Sequence, residues 1–188
     1  MSQQELLKKV VRLLDTIGIE YMISGSIAAS LQGEPRSTHD LDFVVDLQKS
    51  QLTQFVRSFD LPEFYVDEDS IRDALNNKSM FNIVDSTGGD RIDFWILTEA
   101  PFDASRFSRR ICEDFMGIEL KVSSPEDTIL MKLRWAMLSG GSEKQFIDAL
   151  RAYEVQFENL DLDYLEHWTK KLTVESLWRR VKEEAEAV

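Results

Sequence analysis

The apolar periodicity of this chain changes character once, at Ser124-Pro125-Glu126-Asp127. Before that point, short β-branched and aromatic runs alternate with helical stripes. After it, every patterned segment has the helical period. Strands interleaved with helices, followed by helices alone, predict an α+β core carrying a helical C-terminal subdomain, with residues 1–123 as the core and 124–188 as the subdomain. A length of 188 residues with 43% hydrophobic content suits one real core and a small appendage.

Leu6, Leu7, Val10, Val11, Leu13 and Leu14 form a helical stripe over residues 3–16, closed by Gly18. Residues 19–24 read as a short buried strand that ends at Gly25, and a small-residue helix runs from Ser26 toward Gly33. Asp40-Leu41-Asp42-Phe43-Val44-Val45-Asp46 is a strand with acids at alternate positions. Helices are predicted over 51–59 and 70–76, strands over 80–85, 91–97 and 118–122, and a hairpin around Ser86-Thr87-Gly88-Gly89-Asp90. Ser124 before Pro125 is an N-cap arrangement, and helices follow over 128–137, 142–157, 164–171 and 174–185.

The chemistry concentrates between Ser24 and Asp46. Side chains two apart on a strand leave the same face, so Asp40 and Asp42 emerge together, roughly 7 Å apart along the backbone. Leu41, Phe43 and Val45 then point into the core. Paired carboxylates suit Mg²⁺, with substrate phosphates completing its shell. Gly25-Ser26 sits at a strand-to-helix junction, where glycine permits close approach and helix N–H groups with a serine hydroxyl suit phosphate. Asp93 is a third carboxylate on a strand, either a metal ligand or the base for an attacking hydroxyl. Each piece alone has an ordinary reading as a half-solvated strand, a turn or an Arg91 partner; their joint order carries the expectation.

Gly25-Ser26, followed after thirteen residues by Asp40-Leu41-Asp42, resembles the signature of the DNA polymerase β-like nucleotidyltransferase superfamily. The fuller stretch from Gly25-Ser26-Ile27-Ala28-Ala29 through Gly33-Glu34-Pro35-Arg36-Ser37-Thr38-His39 to the acids is similar to bacterial proteins grouped with AbiEii-type toxins. The resemblance implies a small mixed sheet flanked by helices and a nucleoside triphosphate gripped at Gly25 and Ser26. It also implies magnesium on Asp40, Asp42 and Asp93, and transfer of a nucleoside monophosphate to a hydroxyl on RNA, protein or a small molecule. Lys132 becomes a candidate triphosphate contact, with a solvated helix face as the alternative.

Arg36 either reaches a phosphate or pairs with Asp40 or Glu34, and Thr38 is expected to hydrogen-bond locally. His39 is a minor ligand candidate. Arg106, Arg109 and Arg110 either contact an acceptor or face solvent. Asp148, flanked by Lys144 and Arg151, is expected to be structural. Phe146, Tyr153, Phe157, Trp168 and Trp178 are expected in the helical core. The net charge of −12 excludes a chain whose main task is coating nucleic acid, while leaving room for a local basic groove. An acidic chain with a helical half also suits docking to a protein, such as the partner in a toxin–antitoxin pair. Cys112 is the single cysteine, so no internal disulfide forms. No run approaches the ~20 apolar residues of a membrane span, and the opening Met1-Ser2-Gln3-Gln4 is unlike a signal peptide, so the expected location is the cytoplasm.

Overall fold

A capping box opens the first helix, α1 (Gln3–Thr16): Ser2 Oγ accepts from the Glu5 N–H, and the Glu5 carboxylate accepts from the Ser2 N–H at 2.8 Å. Its stripe of Leu6, Leu7, Val10, Val11 and Leu14 is buried. The computed structural model describes residues 1–35, 38, 40–59 and 62–186. By its contacts the chain divides into two compact units, one of Met1–Ile23 and Thr38–Val122, the other of Ser24–Ser37 and Ser123–Val188.

The first unit holds a seven-stranded mixed sheet. Its strands are β1 (Tyr21–Ile23), β2 (Asp40–Val45), β3 (Phe64–Tyr65), β4 (Met80–Asp85), β5 (Arg91–Ile96), β6 (Ile111–Phe115) and β7 (Ile118–Val122). They lie in the order β3-β4-β5-β2-β1-β7-β6. The β2–β5 and β1–β7 pairs are parallel and the rest antiparallel. The α+β expectation holds.

Register across β4, β5 and β2 sorts the sheet into rows. Phe81, Phe94 and Phe43 are aligned neighbours, as are Ile83, Ile92 and Leu41. All six are at most 1% exposed. Phe94 stacks on Phe81 at 5.2 Å and Phe43 at 5.5 Å, and meets Phe55 edge-on at 5.4 Å. Phe55 comes from a helix over Leu52–Ser58, so one face of the sheet is closed by an aromatic cluster. The strand period sends the intervening residues, Asn82, Asp93 and Asp42, to the opposite face.

The hairpin between β4 and β5 is built on Asp85, which is fully buried. Its carboxylate accepts from the Thr87 N–H at 3.0 Å, the Thr87 hydroxyl at 2.7 Å and the Gly88 N–H at 3.2 Å. A Cβ at Gly88 would stand 2.9 Å from Asp85 Oδ2, so this turn needs glycine there.

The second unit is helical. It contains α2 (Gly25–Gln32) and the helices over Pro125–Leu138, Glu143–Gln156, Leu162–Lys171 and Glu175–Glu184. A Cβ on Gly33 would lie 2.9 Å from the Ala152 nitrogen, which records the close approach of two helices. Ser124 caps Pro125–Leu138 by accepting from the Asp127 N–H, and the buried Asp127 carboxylate accepts from the Ser124 and Tyr164 hydroxyls at 3.0 and 2.7 Å.

Some expectations change. Strands β3 and β6 and a helix over Pro101–Ser108 were not anticipated. β3 has two residues, too few to show a period, and the alternating burial of β6 leaves no residue fully buried. Phe157 is 49% exposed rather than core, whereas Phe146, Tyr153 and Trp178 are buried. Arg106 is buried against Asp103, and Arg110 lies 3.8 Å over the Phe107 ring while donating to the Tyr21 carbonyl, so neither arginine simply faces solvent.

Candidate active site

Strand β2 presents Asp40 and Asp42 because Leu41, Phe43 and Val45, each 0% exposed, take the other face. Strand β5 runs parallel beside it, pairing Asp42 with Asp93 and Asp40 with Arg91. Neighbouring strands are about 4.8 Å apart, so three carboxylates and one guanidinium share a small area of one sheet face. The aromatic row beneath, centred on Phe94, fixes the backbone that carries Asp93.

Arg91 organises the group. Its Nη2 donates to Asp93 Oδ2 at 3.0 Å and stands 3.4 Å from Asp40 Oδ1. Its Nε is 2.9 Å from Asp93 Oδ1. That contact is an ion pair without hydrogen-bond alignment, and Asp93 Oδ1 is buried without a hydrogen-bond partner. Burial, first, and then the Asp42 and Asp40 charges push the Asp93 carboxyl above the ordinary range, against the opposing pull of Arg91. A carboxylate raised in this way is a better proton acceptor at neutral pH.

The donor set fits a hard divalent cation: oxygen ligands on a rigid sheet face, one of them a buried carboxylate oxygen lacking an aligned donor. As the side chains stand, no three His, Cys, Asp or Glu among the described residues are gathered to hold a metal ion. Around Asp40 and Asp93 the guanidinium of Arg91 occupies that role.

Thr38 packs locally, its hydroxyl lying 3.3 Å from the Asp40 carbonyl and 3.4 Å from the Asp40 nitrogen. Arg36 and His39 lie outside the described residues. Gly25 and Ser26 open α2 in the helical unit. Gly25 has φ +62°, which a side chain would strain, and Ser24 makes no side-chain cap to the first-turn N–H groups. Lys132, also in the helical unit, is 3% exposed, with Nζ 2.7 Å from Asp148 Oδ2. A phosphate role for it requires that this ion pair open, and the pair ties Asp148 to a residue sixteen positions earlier in the chain. Sequence reasoning treated Arg91 only as a partner that would make Asp93 ordinary. Its signal was the strand period, which places residue 91 on the face of residue 93.

No family model matches the chain, and no curated protein matches it by sequence. Solved structures do. The crystal structure of ANT(2'')-Ia in complex with adenylyl-2''-tobramycin is 14% identical, spans 94% of this chain and 99% of its own, and has a TM-score of 0.62. An antigenic nucleotidyltransferase-like protein from Paracoccidioides brasiliensis is 17% identical, spans 98% of this chain and 94% of its own, and has a TM-score of 0.54. The chain therefore has the nucleotidyltransferase fold. Among the described residues, no helix is long and apolar enough to cross a membrane.

Proposed function

We propose that this protein is a Mg²⁺-dependent nucleotidyltransferase that moves a nucleoside monophosphate from a nucleoside triphosphate to a hydroxyl group. The observation that carries the reading is the in-register placement of Asp42 beside Asp93, with Asp40 on the same face, within that fold. Asp40, Asp42 and Asp93 would hold the magnesium, which when bound neutralises phosphate charge. Gly25 and Ser26 at the start of α2 offer N–H groups and a hydroxyl to phosphate, and Arg36 is a further phosphate candidate. The acceptor oxygen attacks the α-phosphorus, its bond to the β-phosphate bridging oxygen breaks, and pyrophosphate leaves. Asp93 takes the proton of the attacking hydroxyl when it acts as base.

RNA, protein and small-molecule hydroxyls are all chemically competent acceptors. A small, cationic acceptor is the choice that the net charge of −12 favours, because a negative surface concentrates positive substrates. The ANT(2'')-Ia structure, which holds adenylyl-2''-tobramycin, supports the small-molecule reading.

Thermal unfolding with each nucleoside triphosphate, with and without Mg²⁺, tests this. A ligand at 100 times its Kd stabilises by about 2.7 kcal/mol. We expect a Mg²⁺-dependent shift with at least one nucleotide, lost in Asp42→Ala. No shift with any nucleotide overturns the reading.

A second reading is a fold of this class acting through a protein partner, as in the AbiEii-type toxin–antitoxin resemblance. It is favoured by the exposed apolar residues of the helical unit, Leu31, Ile147, Val155 and Phe157. It predicts that binding to that partner survives replacement of both Asp40 and Asp42.

A further inference from the structure

Arg91 is placed as a cation would be. It stands opposite Asp40 in the β2–β5 register and two residues before Asp93, so all three side chains leave one face of the sheet. Both ends of its fork are engaged, Nε and Nη2 with Asp93 and Nη2 also near Asp40. Asp93 is the carboxylate most in need of a counter-charge, since its side chain is 6% exposed and Asp42 is its register neighbour. The Arg91 side chain itself is 46% exposed. With its own side chain half in water, the guanidinium can swing outward into solvent at little cost to itself, provided that an incoming cation takes its place beside the buried Asp93.

We infer that Arg91 is a built-in, displaceable counter-ion: it neutralises Asp40 and Asp93 before a divalent cation arrives, and it competes with that cation for the same carboxylate oxygens. The inference rests on the nucleotidyltransferase reading of these acids and adds a control to it. Arg91 is a positioning residue. It keeps Asp93 ionised-partnered and the two strands free of like-charge repulsion in the metal-free protein, and it sets how much divalent cation is needed before the carboxylates are released. The Asp93 oxygen that Nε approaches without alignment is the one already least satisfied by the arginine.

The test uses the full chain and Mn²⁺ as the probe, with free Mn²⁺ followed by electron paramagnetic resonance. Wild type, Arg91→Gln, Arg91→Lys and Asp42→Ala are compared, and metal-free thermal unfolding is recorded for each. Removing one competing charge at a half-exposed position should tighten Mn²⁺ binding about five- to tenfold in Arg91→Gln. The same variant should melt lower without metal and regain the difference at saturating Mn²⁺. Arg91→Lys, which keeps the charge without the fork, should fall between the two. A residue of purely structural importance lowers stability without tightening metal binding. Equal or weaker Mn²⁺ binding by Arg91→Gln, in a wild type that binds Mn²⁺ through Asp42, overturns the inference and leaves the enzyme reading standing. No Mn²⁺ binding by wild type or Arg91→Gln overturns both.

Discussion

Lys132 shows how far a single position can be argued. A lysine on the helix after Ser124-Pro125 is equally compatible with a triphosphate contact and with a solvated face. It is neither exposed nor open, because Asp148 holds its ammonium at 2.7 Å and both side chains are under 10% exposed. Removing one member of a buried ion pair strands the other, at about 3–5 kcal/mol, whereas replacing both with apolar residues is close to neutral. Lys132→Met should therefore lower stability to urea by about that amount, and Lys132→Met with Asp148→Leu should recover most of it. The double variant should keep the Mg²⁺-nucleotide thermal shift; loss of the shift with stability restored would assign Lys132 to the phosphates. Asp93 makes the complementary case. Its chemistry follows from its two strand neighbours, Arg91 and Asp42, of which only the first is close in sequence.

Among the elements, the β4–β5 hairpin matters most to the site, because it delivers Arg91 and Asp93 to their positions. Its turn was legible from Ser86-Thr87-Gly88-Gly89-Asp90, and both flanking strands begin where their apolar patterns begin. The role of Asp85 was not legible, since an acid at the end of a strand ordinarily faces water. Burial alone would raise its carboxyl, yet the Thr87 hydroxyl and the Thr87 and Gly88 N–H groups outweigh it and hold the pKa below the ordinary value. A depressed native pKa stabilises the fold above the unfolded value and ceases to do so as pH falls through the native one. Asp85→Asn should thus cost about 1–3 kcal/mol at neutral pH. Equilibrium urea unfolding should show the difference from wild type shrinking below about pH 4, and a pH-independent difference would mean that charge plays no part. By contrast β3 and β6 escaped detection for want of length or of a buried side, and the partners of Arg106 and Arg110 were not legible because packing sets which carboxylate and ring they meet.

For the molecule as a whole, a net charge of −12 on 188 residues means the folded state works against its own repulsion. Raising salt from low ionic strength to about 0.15 M, where the screening length is about 8 Å, should raise the urea midpoint without changing the slope of the transition. A midpoint insensitive to salt would show that local pairs, such as those of Arg180 with Glu143 and Glu184, already offset the repulsion. The class of fold, the change to helices near residue 124, and the common face of Asp40 and Asp42 all follow from short-range periodicity, because the strand and helix periods act over a few residues. The grouping of Ser24–Ser37 with the helical unit, the parallel pairing of β2 with β5, and the placing of Arg91 between Asp40 and Asp93 do not. They depend on which segment lies beside which across some fifty residues of chain, and a pairing register between distant strands leaves no trace in either strand's own pattern.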